Sequence, residues 1–216
     1  MTYSYSFTKE RYTVEKNKYE KRSVRSYQRK ADHYDDTFDG RFTREFKERL
    51  LTAISITGGD RVLDVACGNG RLLQMLSLKH TFDGYGVDLS EKMIENARRL
   101  NPSMFFVQSG CDALPFQNAF FDVMTVCAAY HHFPDVSSFA SEAFRVLKQG
   151  GTLHIAEVYY GRILRALFNP LVHFSPAGDV RFYGPDEIIG LLESAGFIRE
   201  AVSIHGHIQI VSVRKP

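Results

Sequence analysis

The stretch VLDVACGNGRLL at residues 62–73 places an acid, Asp64, and two closely spaced glycines directly after the start of an apolar run. This pattern is typical of a strand, a tight glycine turn and a helix, and such turns hold nucleotides because the backbone can approach the ligand. A dinucleotide fingerprint starting at Gly68 would require glycine at position 73, where the chain has Leu73, and a P-loop would require G-K-[ST] after the turn. The turn A-C-G-N-G therefore indicates close approach to a ligand without a diphosphate cradle.

A second group of reactive side chains lies in AYHHFPD, where Tyr130, His131 and His132 follow a strongly apolar run. An imidazole or a phenol can accept a proton from a reacting group, so these three residues are the catalytic candidates. Two adjacent histidines before Asp135 also suggest metal ligands, but no third ligand has suitable spacing, and we predict no metal. Adjacent side chains of an extended segment point to opposite sides, so we expect only one of the two histidines to face a cleft.

Apolar patterns in the rest of the chain predict the elements that position these residues. Strands alternate with amphipathic helices, which implies parallel pairing with helices on both faces, and the predicted strands begin near Val62, Tyr85, Met104, Phe121 and Thr152. The last two strands, over 198–203 and 208–213, are separated by a short HGH turn and must pair antiparallel. The predicted fold class is α/β: a doubly wound, seven-stranded, mostly parallel sheet with a C-terminal antiparallel hairpin. Ligands of such sheets bind at the carboxyl ends of the strands.

The helical patterns and the charge distribution suggest how the chain is organised. One helix is predicted over residues 42–54, and another runs through Leu147 and ends at Gly150-Gly151. Residues 1–40 are interpreted as a basic leader or lid helix, with Tyr34 closing one side of the site, and residues 41–216 as the main domain. Within that domain, residues 159–183 form a long apolar insertion, either a lid over an apolar acceptor or a packing and dimerisation element.

Composition restricts the class of protein. The 216 residues are 44% hydrophobic and 24% charged, with a net charge of +2, which is the balance of a globular domain. Cys67, Cys111 and Cys127 are few and far apart, which favours reduced thiols. No apolar run reaches the roughly 18 residues of a membrane span, and the N-terminus has no apolar signal region, so we expect a cytoplasmic location.

The positive charge is concentrated near the N-terminus. Residues 9–30 hold nine Lys or Arg against three Glu, with Tyr12, Tyr19 and Tyr27 interleaved. Such a segment could be a nucleic-acid arm. We favour a solvated, partly helical leader that packs beside the domain, because the rest of the chain offers no basic face.

The chain resembles a known family through an ordered series of motifs. These are VLDVACGNG, GVDLSEKMIENAR, CDALPFQNAFFDVM, CAAYHHFPD, VLKQGGTLHIAE and YGPDEIIGLLESAGF. Together they are similar to the motifs of the class I S-adenosylmethionine-dependent methyltransferases, a Rossmann-like fold. The nearest branch is that of the ubiquinone and menaquinone biosynthesis methyltransferases. One departure is Ala66, where the family more often has glycine.

The resemblance implies S-adenosylmethionine as the cofactor, S-adenosylhomocysteine as its product, and specific roles for single residues. Asp88 would accept hydrogen bonds from both ribose hydroxyls, and Asp112 from the adenine amine. Asp64 would orient the glycine loop and reach the methionine amine. The remaining implied cofactor contacts surround these acids: Ala66, Cys67, Gly68, Gly70, Leu89, Met93, Ala113, Leu114 and Cys127.

The implied chemistry makes small demands on the protein. The methyl group of a sulfonium is already electrophilic, so the site must chiefly hold nucleophile, carbon and sulfur in line. The expected acceptor is a small molecule, and neither its identity nor the methylated atom follows from the sequence. A nucleic-acid methyltransferase using the leader and a non-catalytic cofactor-binding module remain alternatives. Amino-group nucleic-acid methyltransferases usually have a [DN]-P-P-[YF] motif after the fourth strand. This chain has CAAYHH at that place, which counts against the first alternative.

Overall fold

The computed structural model describes residues 18–172 and 174–216, and its centre is one seven-stranded sheet. The strands are β1 (Arg61–Val65), β2 (Asp83–Asp88), β3 (Phe105–Gln108), β4 (Phe121–Cys127), β5 (Leu147–Val158), β6 (Ile198–His205) and β7 (Ile208–Arg214). Their order is β3-β2-β1-β4-β5-β7-β6. The first five strands pair in parallel, and β7 pairs antiparallel with both β5 and β6. The predicted fold class is confirmed.

Seven helices accompany the sheet within the described ranges. They are α1 (Lys18–Lys30), α2 (Phe38–Ala53), α3 (Arg71–Ser77), α4 (Glu91–Leu100), α5 (Val136–Val146), α6 (Arg162–Val172) and α7 (Pro185–Ser194). Short 3₁₀ helices span Ala31–Asp36 and Tyr130–His132. None of the described helices combines the length and apolar character needed to cross a bilayer.

Side-chain caps set where several helices begin. The Ser90 hydroxyl accepts a hydrogen bond from the Met93 amide, and the Asp135 carboxylate accepts from two amides at the start of α5. Thr37 caps α2 in the same way, so this helix begins before the predicted start at residue 42. Residue 40, the predicted end of the leader, therefore lies inside α2. Residues 1–17 of the predicted leader lie outside the described residues.

The two faces of the sheet bury two separate apolar cores. Along β1, Leu63 packs into the core beneath α5 and α7, whereas Val62 packs into the core beneath α2, α3 and α4. Alternating residues of β4 divide in the same way, with Met124 on one face and Val123 on the other. Helices cover both faces, so the strand ends remain available for a ligand.

One predicted boundary is wrong, because β5 begins earlier than the apolar pattern indicates. The helix expected to continue to Gly150-Gly151 ends at Val146, and Leu147 already pairs with Phe121 of β4. The two glycines lie within the strand, where Gly150 donates to the Lys215 carbonyl and Gly151 accepts from the Lys215 amide. Pairing with distant segments thus overrides the helical periodicity of the local sequence.

Candidate functional site

The glycine turn after β1 has the strained backbone that close approach to a ligand requires. Ala66, Gly68 and Gly70 all have positive φ, at 58°, 53° and 77°. A β-carbon on Gly70 would lie 2.7 Å from Asn101 Nδ2 and 3.1 Å from Ala97 Cβ, so glycine is needed where α4 packs. A β-carbon on Gly68 would meet no atom within 4 Å, and this residue lines a cavity at the strand ends. Ala66 keeps the left-handed conformation despite its side chain.

Asp88, at the end of β2, lines the same cavity. One carboxylate oxygen accepts a 2.9 Å hydrogen bond from the Gly68 amide, and the other accepts a 2.8 Å bond from the Ser90 amide. The carboxylate therefore joins the glycine turn to the start of α4. Leu89 and Met93 lie beside it in the cavity wall. An acid and an apolar surface thus meet at this strand end.

Asp64 lies beneath the turn rather than in the cavity wall. Its side chain is buried, and its Oδ1 accepts a 2.7 Å hydrogen bond from the Thr125 hydroxyl of β4. Burial, together with the nearby charge of Asp88, raises the pKa of Asp64 to about 7 against opposing contributions from Thr125 and Lys47. This position suits an acid that braces the turn from below.

The loop after β3 supplies another wall, though not with the residues that the motif suggested. Ser109 and Cys111 line the cavity. Asp112, Ala113 and Leu114 follow in the same loop but are not among the described residues that line it. The Asp112 carboxylate folds over Gly110, where a β-carbon would lie 2.7 Å from its Oδ1. The Leu114 amide donates to Glu142, so α5 anchors this loop.

The three cysteines are free thiols in different surroundings. Cys127, at the end of β4, lines the cavity, and burial raises its pKa to about 12. Cys67 is buried, and a β-carbon on Gly86 would lie 2.8 Å from its sulfur. Burial also raises the pKa of Cys67, so both thiols are neutral at ordinary pH, and Cys67 packs in the core rather than in the cavity wall.

The histidine segment is helical rather than extended, which changes how its side chains point. Tyr130–His132 forms a 3₁₀ helix, and the rings of His131 and His132 lie with centroids 4.0 Å apart. The predicted extended conformation is therefore wrong, although the expectation that only one of the two histidines faces the cleft agrees with the described cavity lining, which includes His132 and not His131. His132 lines the cavity, whereas Tyr130 is fully buried against Phe133 and Tyr183. The structure therefore places Tyr130 in the core, and its catalytic role stays a prediction.

Two acids that the sequence analysis did not single out complete this region. Glu157, at the end of β5, is fully buried, and its Oε1 lies 2.8 Å from His131 Nδ1. Although burial opposes ionisation, the neighbouring His131 holds the pKa of Glu157 below its usual range. Asp179, from the 159–183 insertion, lies 3.0 Å from His132 Nδ1, and the adjacent imidazoles lower its pKa to about 2 against the effect of burial. A carboxylate at a strand end could have marked Glu157, but nothing in the chain marks Asp179.

Helix α1 covers the cavity from the N-terminal side. Glu20, Ser23, Val24 and Tyr27 of α1 line the cavity, and the Tyr27 hydroxyl lies 3.1 Å from His132 Nε2. The cavity has a volume of about 100 Å³, whereas small-molecule sites usually enclose about 300–1,000 Å³. Because α1 forms one wall of this small cavity, we expect it to move outward when a ligand of nucleoside size binds.

The residues after α1 also contact the glycine turn and the cavity. Asp35 accepts a 3.1 Å hydrogen bond from Asn69 and a 3.0 Å bond from Arg71 Nε. Tyr34 lines the cavity, as predicted, and burial raises its pKa to about 12. The N-terminal segment is thereby attached to the loop that it covers.

Comparison with known proteins shows which proteins this chain is similar to. A family model described as a methyltransferase domain matches residues 63–155. The chain is 30% identical over 121 residues to 27-O-demethylrifamycin SV methyltransferase of Amycolatopsis mediterranei, which covers 53% of this chain and 44% of that protein. It is 28% identical over 157 residues to ubiquinone/menaquinone biosynthesis C-methyltransferase UbiE of Xylella fastidiosa, covering 69% and 61% of the two chains. The aligned region thus spans less than two thirds of each of these relatives.

Other relatives align over a larger share of their length. Demethylmenaquinone methyltransferase of Thermotoga maritima is 27% identical over 205 residues, covering 83% of this chain and 90% of that protein. The solved structure of YcgJ from Bacillus subtilis superposes with a TM-score of 0.69 at 18% identity over 80% of this chain and 99% of the other, which is a likeness of fold. Residues 63–155 thus match a methyltransferase domain, and the chain is similar to the ubiquinone and menaquinone biosynthesis methyltransferases over 69% and 83% of its length.

Proposed function

We propose that this chain transfers the methyl group of S-adenosylmethionine to a small-molecule acceptor. The observation that carries the proposal is the cavity at the ends of β1, β2 and β4, where a positive-φ glycine turn, the Asp88 carboxylate and an apolar wall adjoin. The cofactor supplies an activated methyl group, so the residues of the site need to bind, align and exclude water.

The parts of this cavity fit the parts of an adenosyl group. The Asp88 carboxylate is held by two backbone amides, and it accepts hydrogen bonds from the ribose hydroxyls. Leu89 and Met93 pack against the adenine ring, and Gly68 lets the backbone approach the ligand. Met93 is supported on α4, whose N-terminus Ser90 caps.

Two further acids act around this centre in the proposal. Asp112, with Ala113 and Leu114, recognises adenine from the loop that also carries the cavity residues Ser109 and Cys111. Asp64 is a positioning residue, because its buried carboxyl joins β1 to Thr125 of β4 directly beneath the turn. The ribose and adenine assignments rest on the family resemblance together with the location of the loops.

The acceptor lies, in this proposal, between α1 and the segment after β4. This wall combines His132 and Tyr27 with the apolar Val24, Phe133 and Pro134, which suits a largely apolar small molecule bearing a polar group. Relatives named for 27-O-demethylrifamycin SV and demethylmenaquinone support a small-molecule acceptor. His132 contacts the acceptor or the cofactor, and His131 is held behind it by Glu157.

The 159–183 insertion acts as a lid in this proposal. Its Gly178 packs closely on α1, since a β-carbon there would lie 2.5 Å from the Tyr19 carbonyl. Its helix α6 exposes large apolar side chains, including Ile163 at 78% and Leu167 at 62% exposure, so this face is available for an acceptor tail or a second copy. A homodimer and a cytoplasmic location stay predictions from the sequence.

The proposal is tested with the full chain and a methyl-labelled cofactor. Calorimetry should show binding of S-adenosylmethionine and S-adenosylhomocysteine, and incubation with a metabolite extract should move the label into small molecules. Label in nucleic acid would favour the leader as a nucleic-acid arm. Cofactor binding without any transfer would favour a binding module, and absence of binding would contradict both.

A further inference from the structure

Three ligand-type side chains from two separate parts of the chain meet beside the cavity. His132 Nδ1 lies 3.0 Å from Asp179 Oδ1, and His131 Nε2 lies 3.7 Å from the same oxygen. One ligand atom from each of the three residues lies within 4.8 Å of the others. We propose that His131, His132 and Asp179 bind a divalent transition-metal ion of the zinc type.

The spacing of the three atoms suits such an ion. Zinc binds imidazole nitrogen and carboxylate oxygen at about 2.0–2.2 Å, so neighbouring ligands of a tetrahedral site lie about 3.3 Å apart. The separations of 3.0 and 3.7 Å fall on either side of this value. The three ligand atoms all lie within 4.8 Å of one another, so side-chain adjustment would bring them together around an ion.

The nitrogen of His132 that faces Asp179 lacks a hydrogen bond. His132 Nδ1 is buried and has no hydrogen-bond partner among the described residues, even though the Asp179 oxygen is only 3.0 Å away. The contact is close but does not have the direction that a hydrogen bond requires. A cation between the two atoms would satisfy both.

In each imidazole, the ring nitrogen that faces away from Asp179 already has a polar partner, as in metal-binding histidines. His131 Nδ1 lies 2.8 Å from Oε1 of the fully buried Glu157, which also accepts a 2.6 Å hydrogen bond from the Val158 amide. His132 Nε2 lies 3.1 Å from the Tyr27 hydroxyl. A partner on the second nitrogen fixes the tautomer and the ring orientation of a metal ligand. Each imidazole is thus left with its other nitrogen toward Asp179.

Charge and ligand type indicate the class of ion. Glu157 and Asp179 are two carboxylates beside two imidazoles, so a divalent cation would balance their charge. Arg181 does not serve this purpose, because its guanidinium pairs with Glu187 at 2.7 Å. Imidazole ligands favour zinc, iron, nickel or copper over magnesium and calcium.

The three residues also suggest what the ion would do. Three protein ligands leave one position of a tetrahedral ion open for water or another small ligand. The side chains of His131, His132 and Asp179 are 14%, 12% and 17% exposed, so an ion can reach them. The ion would join the 159–183 insertion to the segment after β4, and it would lie beside the wall where the acceptor is proposed to bind, because His132 lines the cavity.

The test is direct metal binding by the full chain. After treatment with a chelator and desalting, the protein is titrated with Zn²⁺, Co²⁺ and Mg²⁺ by calorimetry, and the visible spectrum of the Co²⁺ form is recorded. We expect one Zn²⁺ per chain and no comparable Mg²⁺ binding. Asp179→Asn and His131→Gln should each weaken Zn²⁺ binding at least about 100-fold, and Glu157→Gln about 10–100-fold.

Matched control variants distinguish Zn²⁺ binding at this site from binding to acids and histidines elsewhere on the chain. Asp186→Asn and His205→Gln change an exposed acid and an exposed histidine elsewhere and should leave the affinity unchanged. The Co²⁺ spectrum of the unaltered chain provides evidence that does not depend on the folding of any variant. Equal Zn²⁺ affinity in the unaltered chain and Asp179→Asn, a thiolate charge-transfer band in the Co²⁺ form, or absence of Zn²⁺ binding would each overturn the proposal.

Discussion

Replacement of Asp88 by alanine tests the proposed cofactor site in the most detail. The Asp88 carboxylate accepts hydrogen bonds of 2.9 and 2.8 Å from the Gly68 and Ser90 amides, and in the proposal it also binds the ribose. Hydrogen bonds to charged groups contribute about 1.5–3 kcal/mol. Loss of the ribose contact should therefore weaken S-adenosylhomocysteine binding about 10–150-fold.

The measurement is isothermal calorimetry at 25 °C, which suits a chain without tryptophan. Asp83→Ala is the matched control, because Asp83 is an exposed acid at the opposite end of the same strand. Thermal unfolding of both variants shows whether the turn still folds. An unchanged dissociation constant for folded Asp88→Ala, or an equal loss in Asp83→Ala, would refute the assignment of Asp88 to the ribose.

Three further predictions concern the turn, its buried acid and the covering helix. Gly70→Ala should lower the free energy of unfolding by about 1–3 kcal/mol in urea titration, because φ is +77° and Asn101 lies close, whereas Gly58→Ala, with open space around it, should not. The pKa of Asp64 is raised from 3.8 to about 7, so the folded chain holds this proton more tightly than the unfolded chain. Its stabilising effect is full at acid pH and is lost as pH rises through about 7, so stability should fall by about 2–3 kcal/mol between about pH 5 and pH 8. Asp64→Asn should remove this difference in urea titrations, and an identical pH dependence in both proteins would contradict the prediction. Deletion of residues 1–30 should raise the dissociation rate of S-adenosylhomocysteine several-fold if α1 covers the ligand, as measured by surface plasmon resonance, and an unchanged rate would argue against a lid.

The fold could be predicted because its signals are local. Alternation along β1 sends Val62 and Leu63 to opposite cores, and the short turn before β7 leaves no room for a parallel crossover. The glycine turn was also recognisable, since positions that need positive φ favour small residues. Here the alanine at position 66 keeps the conformation expected of the family's glycine.

The arrangement around the histidines could not be predicted, because it depends on contacts between distant segments. The extended conformation predicted for Tyr130–His132 is wrong, because this segment forms a helical turn. In that turn the His132 amide donates a hydrogen bond to the Ala129 carbonyl. The insertion returns to the same turn, where the His131 carbonyl accepts a 2.8 Å hydrogen bond from the Val180 amide. This backbone contact brings Asp179 beside both imidazoles, and no periodicity or motif in the chain signals it.

The proposed function requires an adenosyl ligand to lie across the ends of β1, β2 and β4. The most direct measurement is a crystal structure of the full chain with S-adenosylhomocysteine. We expect the ribose hydroxyls to lie within hydrogen-bond distance of the Asp88 carboxylate, the adenine to pack against Leu89 and Met93, and α1 to be displaced outward. Nucleoside bound at another place, or at these strand ends with its ribose away from Asp88, would contradict the proposal.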